Sequence, residues 1–338
     1  MGLGRIARWA SALALGFTAI GPAHAGEKDF TSTFDAVLGT EVRTPQTYEA
    51  LPSSPLQQTL ARIADGSDGR IGVYAVDLAS GREVSILGNQ RFPMASTSKI
   101  AIAATFMEGV EKGRWSLSSE FPLMVAVASP RFSGGKAPVK PGQYMTARDL
   151  IEIMITRSSN PATDALLAVV GGPTAVNNWA ARNGMPEFNI TRDIATLVRD
   201  DGEVNPAHTI DVRDSATPQT MVKLLAGLHQ GKFLNASSRR VILGAMERCK
   251  TGTRRIPGML PDGARVAHKT GTLSNTASDI GIIQTPDGRS IAVAIYVTGQ
   301  GSKPARDAKI ASIARALYDG YSAQPQRLAD RAYANASY

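Results

Sequence analysis

The feature that most constrains the fold is the order in which hydrophobic periodicity changes along the chain. Arg70 to Leu87 alternates with period two: Ile71, Val73, Ala75 and Val76 form one strand, Ala79-Ser80-Gly81-Arg82 a turn, and Val84 to Leu87 the return. From Ser98 to Lys112 the period becomes helical, with Gly113 as its stop. Helical pattern also covers 150–155, 161–170 and 221–229. Strand pattern then returns over Arg265 to Thr272, Asp279 to Gln284 and Ser290 to Thr298, with Pro286-Asp287-Gly288 as a turn. Pro304 to Tyr318 closes as an amphipathic helix, and Leu56 to Ala64 opens as one. Two early and three late strands predict one five-stranded antiparallel sheet in an α+β fold, flanked by helices, with the helical block inserted as a second lobe. A cleft between two such lobes is a favoured place for a site.

The ends are of different material. Met1 to Arg8 carries two arginines and no acid, Trp9 to Ile20 is apolar, and small residues precede Gly26. This is the layout of a secretory leader, predicting cleavage after Ala25 and a periplasmic or secreted protein; an N-terminal membrane anchor is the alternative. Residues 26–54 read as a loose lead-in, 55–321 as the catalytic unit and 322–338 as a disordered tail. Within the unit, 55–95 and 255–321 would form the α/β lobe and 96–254 the helical one.

Cys249 is the only cysteine, which excludes an intramolecular disulfide and thiolate metal sites. The net charge of +8 comes without basic runs interleaved with aromatics, so a nucleic-acid partner is not expected. A monomer without metal or organic cofactor, and without stable membrane association after cleavage, is the expectation.

Three short strings carry chemistry. Ser96-Thr97-Ser98-Lys99 lies where a loop enters a helix, and residues three apart share a helix face. A serine hydroxyl needs a group to take its proton, and a lysine can serve only if burial or other cations lower its pKa. Ser158-Ser159-Asn160 sits at a break between helices; such a serine can relay a proton, and the asparagine can fix a lysine and donate to a carbonyl. Lys269-Thr270-Gly271-Thr272 lies on a strand: Lys269 and Thr270 could hold a carboxylate, Gly271 would admit a close backbone, and the Thr272 amide could face a reacting carbonyl.

Together these strings resemble the Ser-x-x-Lys, Ser-x-Asn, Lys-Thr-Gly set of class A β-lactamases and penicillin-binding proteins. The similarity spans about residues 55 to 320. Phe92 to Lys99 is similar to the family's F-P-M-x-S-T-x-K, and 154–167 and 281–297 are similar to its central helices and final hairpin. The resemblance implies a β-lactam substrate and a Ser96 acyl-enzyme. Lys99, or Asp201 through a water, would take the proton, and Ser158 would protonate the departing nitrogen. The family's loop reads R-x-E-P-x-L-N, then D-x-R-D-x-x-T-P. Set on Arg199, this pattern implies an Arg199–Asp214 ion pair, Asp201 at the general-base position and Asn205 as the water-holding asparagine; Glu203 is the other carboxylate that could serve. Arg255, fourteen residues before Lys269, is expected to bind a substrate carboxylate, and Asn160 to contact substrate. A D-alanyl-D-alanine peptidase that deacylates slowly, or a β-lactam-binding protein acylated once, would share the same acylation chemistry.

Overall fold

The structure, a computed structural model, describes residues 42–43, 54–64 and 68–323. The expected leader, nearly all of the lead-in and nearly all of the tail lie outside these residues. The strands are β1 (Val42–Arg43), β2 (Ile71–Asp77), β3 (Glu83–Ile86), β4 (Phe92–Pro93), β5 (Glu120–Ala126), β6 (Val139–Thr146), β7 (Ile210–Asp211), β8 (Ser215–Ala216), β9 (Arg265–Leu273), β10 (Thr276–Gln284) and β11 (Ser290–Thr298). The helices are α1 (Pro55–Ala64), α2 (Lys99–Glu111), α3 (Ala147–Thr156), α4 (Asn160–Val170), α5 (Gly172–Arg182), α6 (Ile194–Arg199), α7 (Pro218–Gln230), α8 (Ala236–Glu247) and α9 (Lys303–Ser322).

Five strands form one antiparallel sheet, as the strand pattern predicts, and their order is β3-β2-β11-β10-β9. Both faces of the sheet are covered, which is why β11 reads as an unbroken apolar run. On β11 the odd residues Ile291, Val293, Ile295 and Val297 pack with Leu60 of α1 and Ile310, Ile313 and Leu317 of α9. The even residues Ala292, Ala294 and Tyr296 face the other way, into the core shared with α7 and the helical lobe. Burying each Leu or Ile contributes about 1.5–3 kcal/mol, so this two-sided core supplies the stability that no disulfide provides.

At the centre of the helical lobe runs α2, whose residues from Lys99 to Met107 are all buried. A helix apolar all round belongs in an interior. Local caps fix the neighbouring helices. The Thr146 hydroxyl accepts from the Asp149 amide at 3.2 Å to start α3, and the Ser159 hydroxyl from the Ala162 amide at 3.4 Å to start α4.

Residues Val139–Thr146 form β6, paired with β5 across a register shift near Pro122. Prolines are tolerated in such an exposed ribbon because it has unpaired outer edges. Among the described residues no helix is long and apolar enough to cross a membrane.

Candidate active site

The site forms where the α2 entry, the α3–α4 break and strand β9 converge. Ser96 sits in a 3-10 turn, Ala95–Ser98, that runs straight into α2. Local bonds fix this turn: the Thr97 hydroxyl donates to Met94 O at 2.7 Å and the Ser98 hydroxyl to Ala95 O at 2.8 Å. Ala95 adopts φ +48°, a left-handed conformation that alanine holds at a cost of about 1–2 kcal/mol. Such strain persists only where surrounding contacts enforce it.

Gly271 explains how the turn meets the strand. A β-carbon added there would lie 2.7 Å from the carbonyl oxygen of Met94 and 3.0 Å from the β-carbon of Ala95. The backbone that approaches Gly271 is therefore that of the turn carrying Ser96. Reading the sequence alone attributes the glycine to a substrate's approach; the structure gives this closer reason.

Lys99 is completely buried. Its Nζ donates to the carbonyl oxygen of Ser158 at 2.8 Å and to Asn160 Oδ1 at 2.8 Å, with Ser158 Oγ at 3.3 Å. Burial first, then the charge of Lys269, holds its pKa well below that of an ordinary lysine. Lys269 is equally buried; its Nζ donates to Ser158 Oγ at 3.0 Å and to Thr270 O at 2.8 Å. Burial pushes the Lys269 pKa down to about 8. Ser158 reaches both lysines because its backbone adopts φ +57° at the helix break. The structure thus brings Lys99, Ser158, Asn160 and Lys269 into one network.

Behind β9, Thr270 shares a 2.6 Å hydroxyl contact with Thr251. His268, which precedes Lys269, lies 3.0 Å from both carboxylate oxygens of Asp279. Burial works against its cation, but Asp279 raises its pKa to about 10.

Arg255 does not stand free for a substrate carboxylate. It is 2% exposed, and its guanidinium donates to Asp307 at 2.6 Å, to Gly271 O and Ser278 O at 2.7 and 2.8 Å, and to Thr272 Oγ1 at 2.7 Å. Most of its N–H donors are committed to protein partners, so the expected direct grip gives way to a positioning role behind Thr272.

The loop joining α6 to α7 carries the largest correction. Arg199 does not pair with Asp214; it makes a two-pronged contact with its neighbour Asp200, both distances 2.8 Å. Asp214 is taken instead by Arg192, Nε to Oδ2, at 2.6 Å. It also accepts from the Thr191 and Arg192 amides at 2.8 and 3.2 Å. Setting the family pattern on Arg192 puts its glutamate position at Ile194 and its leucine on Leu197, which matches. The asparagine position falls on Val198.

The expected roles of Asp201 and Asn205 rested on the Arg199 register and fall with it. Both oxygens of the Asp201 carboxylate accept from the Ser274 amide, at 2.9 and 2.8 Å. Asn205 Oδ1 accepts from Asn275 Nδ2 at 2.9 Å, on the β9–β10 turn. Glu203 pairs with Arg213 at 2.9 Å on the exposed side of the loop.

A further residue emerges that the sequence reading did not single out. Asp164 lies one helical turn beyond Asn160, on the same face of α4. Its two oxygens accept from the amides of Ile194 and Ala195 at 2.7 and 2.9 Å, which pins the loop beneath the Lys99 network. Burial pushes its pKa up to about 6. The i, i+4 spacing from Asn160 is the only signal the sequence carried for it.

The α+β fold, with its sheet and inserted helical lobe, and this Ser-Lys-Ser-Lys site define a protein of the β-lactamase/transpeptidase-like fold. Comparison with known proteins gives the same answer. Residues 55–321 match the model of the Beta-lactamase enzyme family. The chain is 27% identical over 292 residues to the extended-spectrum β-lactamase PER-1 of Pseudomonas aeruginosa, covering 80% of this chain and 89% of that one. Among solved structures, a variant of the last common ancestor of Gram-negative class A β-lactamases superposes with TM-score 0.68 at 31% identity, over 80% of this chain and 99% of that one. PBP-A superposes with TM-score 0.69 at 25% identity, over 83% of this chain and 100% of that one. The chain belongs to the Beta-lactamase enzyme family.

Proposed function

We propose that the protein is an exported serine hydrolase that opens the β-lactam amide through a Ser96 acyl-enzyme and releases the product slowly. The contacts of Lys99 carry this reading. Lys99 Nζ lies 2.8 Å from Ser158 O and Asn160 Oδ1 and 3.3 Å from Ser158 Oγ, and burial disfavours its charge; a neutral amine that donates to the two nearer oxygens keeps its lone pair. The lone pair is left for the proton of Ser96, three residues earlier on the same helix face.

In acylation, Ser96 Oγ bonds to the lactam carbonyl carbon while its proton passes to Lys99 Nζ. The amides of Ser96 and Thr272 hold the oxyanion. The C–N bond then breaks as Lys99 returns the proton, through Ser158 Oγ, to the departing nitrogen. Lys269, still cationic at neutral pH, and Thr270 receive the substrate carboxylate. Asn160 fixes Lys99, and Arg255 holds Thr272 in line. No cofactor takes part.

Release of the acyl group requires an activated water. Ile194 occupies the position where the family pattern has its glutamate, and an isoleucine side chain cannot take a proton from water. A general base contributes about 10²–10⁴ in rate, which sets the scale of the slowing. The same observation favours a second reading, a D-alanyl-D-alanine peptidase of the penicillin-binding type. A mutant of PBP-A, one of the structures this chain resembles at 25% identity, is known as an acyl-enzyme complex with penicillin G.

Mixing the mature protein with a chromogenic cephalosporin, while following its intact mass, tests the proposal. Repeated turnover through a Ser96 adduct supports the hydrolase, whereas a single equivalent of product and a permanent adduct supports the peptidase reading. Hydrolysis surviving in Ser96→Ala would defeat both. The export half is tested by N-terminal sequencing of protein recovered from the periplasm or medium, with Gly26 expected first.

A further inference from the structure

β9 is the outer strand of the sheet, so its free edge can pair with an extended ligand. In the proposal above, the substrate carboxylate lies at Lys269–Thr270 and the reacting carbonyl at Thr272. The acyl branch, on the other side of that carbonyl, therefore continues toward Ser274. Ser274 is the next residue in the same alternating row, about 6.6 Å along the strand, and opens the two-residue turn to β10.

The Ser274 amide is already occupied, by both carboxylate oxygens of Asp201. An edge amide that accepts a carboxylate as partner would equally accept a carbonyl oxygen from an acyl side chain. Asp201 thus stands in the place that such a group would take.

Asp201 is also held from outside the cleft. Arg131 donates to its carbonyl oxygen, and the Phe132 amide donates to the adjacent Asp200 carboxylate at 2.9 Å. Asn275 and Asn205 tie the same loop to the turn at 2.9 Å. Three segments therefore meet over the end of β9. The next residue, Gly202, adopts φ +95°, a conformation open to glycine, and Asp201, Gly202, Leu273 and Ser274 all line a cavity beneath the loop. The carboxylate has both a pivot beside it and a space into which to turn.

We propose that Asp201 is a specificity gate on the β9 edge, which lets β-lactams with compact acyl groups react directly and makes those with bulky, branched acyl groups displace it from Ser274 first. The inference rests on the reading of this cleft as a β-lactam site.

The test compares acylation rate constants, read by intact mass, for benzylpenicillin and a cephalosporin with a branched oxyimino acyl group. Wild type, Asp201→Ala and Asp201→Asn are each measured. The ratio of cephalosporin to benzylpenicillin rates should rise about tenfold in Asp201→Ala. Asp201→Asn, which keeps one acceptor oxygen for Ser274, should fall between the two. A ratio unmoved in both variants, while wild type takes up benzylpenicillin, overturns the gate alone. A longer-lived adduct with both compounds and no change in ratio also overturns it, because that is the signature of a deacylation base. A wild type that takes up neither compound overturns the substrate class and the gate with it.

Discussion

Lys99 and Lys269 aim their Nζ atoms at one oxygen, Ser158 Oγ, from 3.3 and 3.0 Å. Burial disfavours the charge of both, and the charge of Lys269 lowers the Lys99 pKa further. The outcome differs between them. Lys99 also feels Asp164, yet its pKa is held well below the ordinary value, while Lys269 stays near 8. One lysine is suited to accept a proton and the other to remain a cation.

A pH profile follows from this division. The second-order acylation rate should rise with pH as Lys99 loses its proton. It should fall again above about pH 8, where Lys269 is neutral and no longer attracts the substrate carboxylate. In Lys269→Arg the guanidinium stays charged, so the alkaline fall should disappear even if the overall rate is lower. Stopped-flow acylation at pH 6–10 decides this; an alkaline limb that persists in Lys269→Arg would remove Lys269 as its source.

Ile194→Glu should restore a base at the position the loop geometry identifies. The deacylation rate is expected to rise on the order of 10²-fold, with acylation changed far less. The readout is adduct lifetime after removal of excess β-lactam. Because Ile194 is buried, the variant should also lose stability, by about 1–3 kcal/mol. An unchanged lifetime in a folded variant would refute the register set by Arg192.

Arg192→Ala and Arg199→Ala separate the two registers by stability. Arg192→Ala leaves a buried Asp214 without its cation, and removing one partner of such a pair costs about 3 kcal/mol. The amides of Ile194 and Ala195 should then lose protection from hydrogen exchange. Arg199→Ala should leave that protection in place, since its partner is the adjacent Asp200. Equal loss in both variants would contradict the assignment.

Gly271→Ala tests the contact between β9 and the nucleophile turn. Its new β-carbon would sit 2.5 Å from Ser278 Oγ and 2.7 Å from Met94 O. The serine can rotate away, but the backbone carbonyl cannot. Overpacking of this kind costs about 1–3 kcal/mol, and acylation should fall more than tenfold as the turn is pushed from the strand. Thermal unfolding and acylation kinetics measure the two effects, and wild-type acylation would show that the contact does not place Ser96.

The five-stranded sheet was legible, as were the strings that supply Lys99, Ser158, Asn160 and Lys269, which hydrogen bonds join, because each depends on local pattern. Period-two strands and the Ser-Lys spacing both act within a few residues. The loop register was not, because Arg192 and Arg199 are both followed by an acid, and spacing cannot say which reaches Asp214. Asn205, six residues beyond Arg199, strengthened the wrong choice. Arg255 read as a free cation because its partner, Asp307, lies on the final helix. Helices α5 and α8 were missed: α5 begins Gly172-Pro173, and much of α8 is polar or basic, including Arg239 and Arg240. Tertiary packing, more than propensity, makes such segments helical.

The central claim is that Ser96 is acylated readily and freed slowly. Its most direct measurement is a time course of intact mass after one equivalent of benzylpenicillin, with the adduct located by peptide mapping. The account predicts a single adduct on Ser96 that forms completely and then decays slowly, outlasting acylation by at least a hundredfold, and no adduct in Ser96→Ala. An adduct on another residue, or penicillin hydrolysed with no adduct ever accumulating, would contradict it.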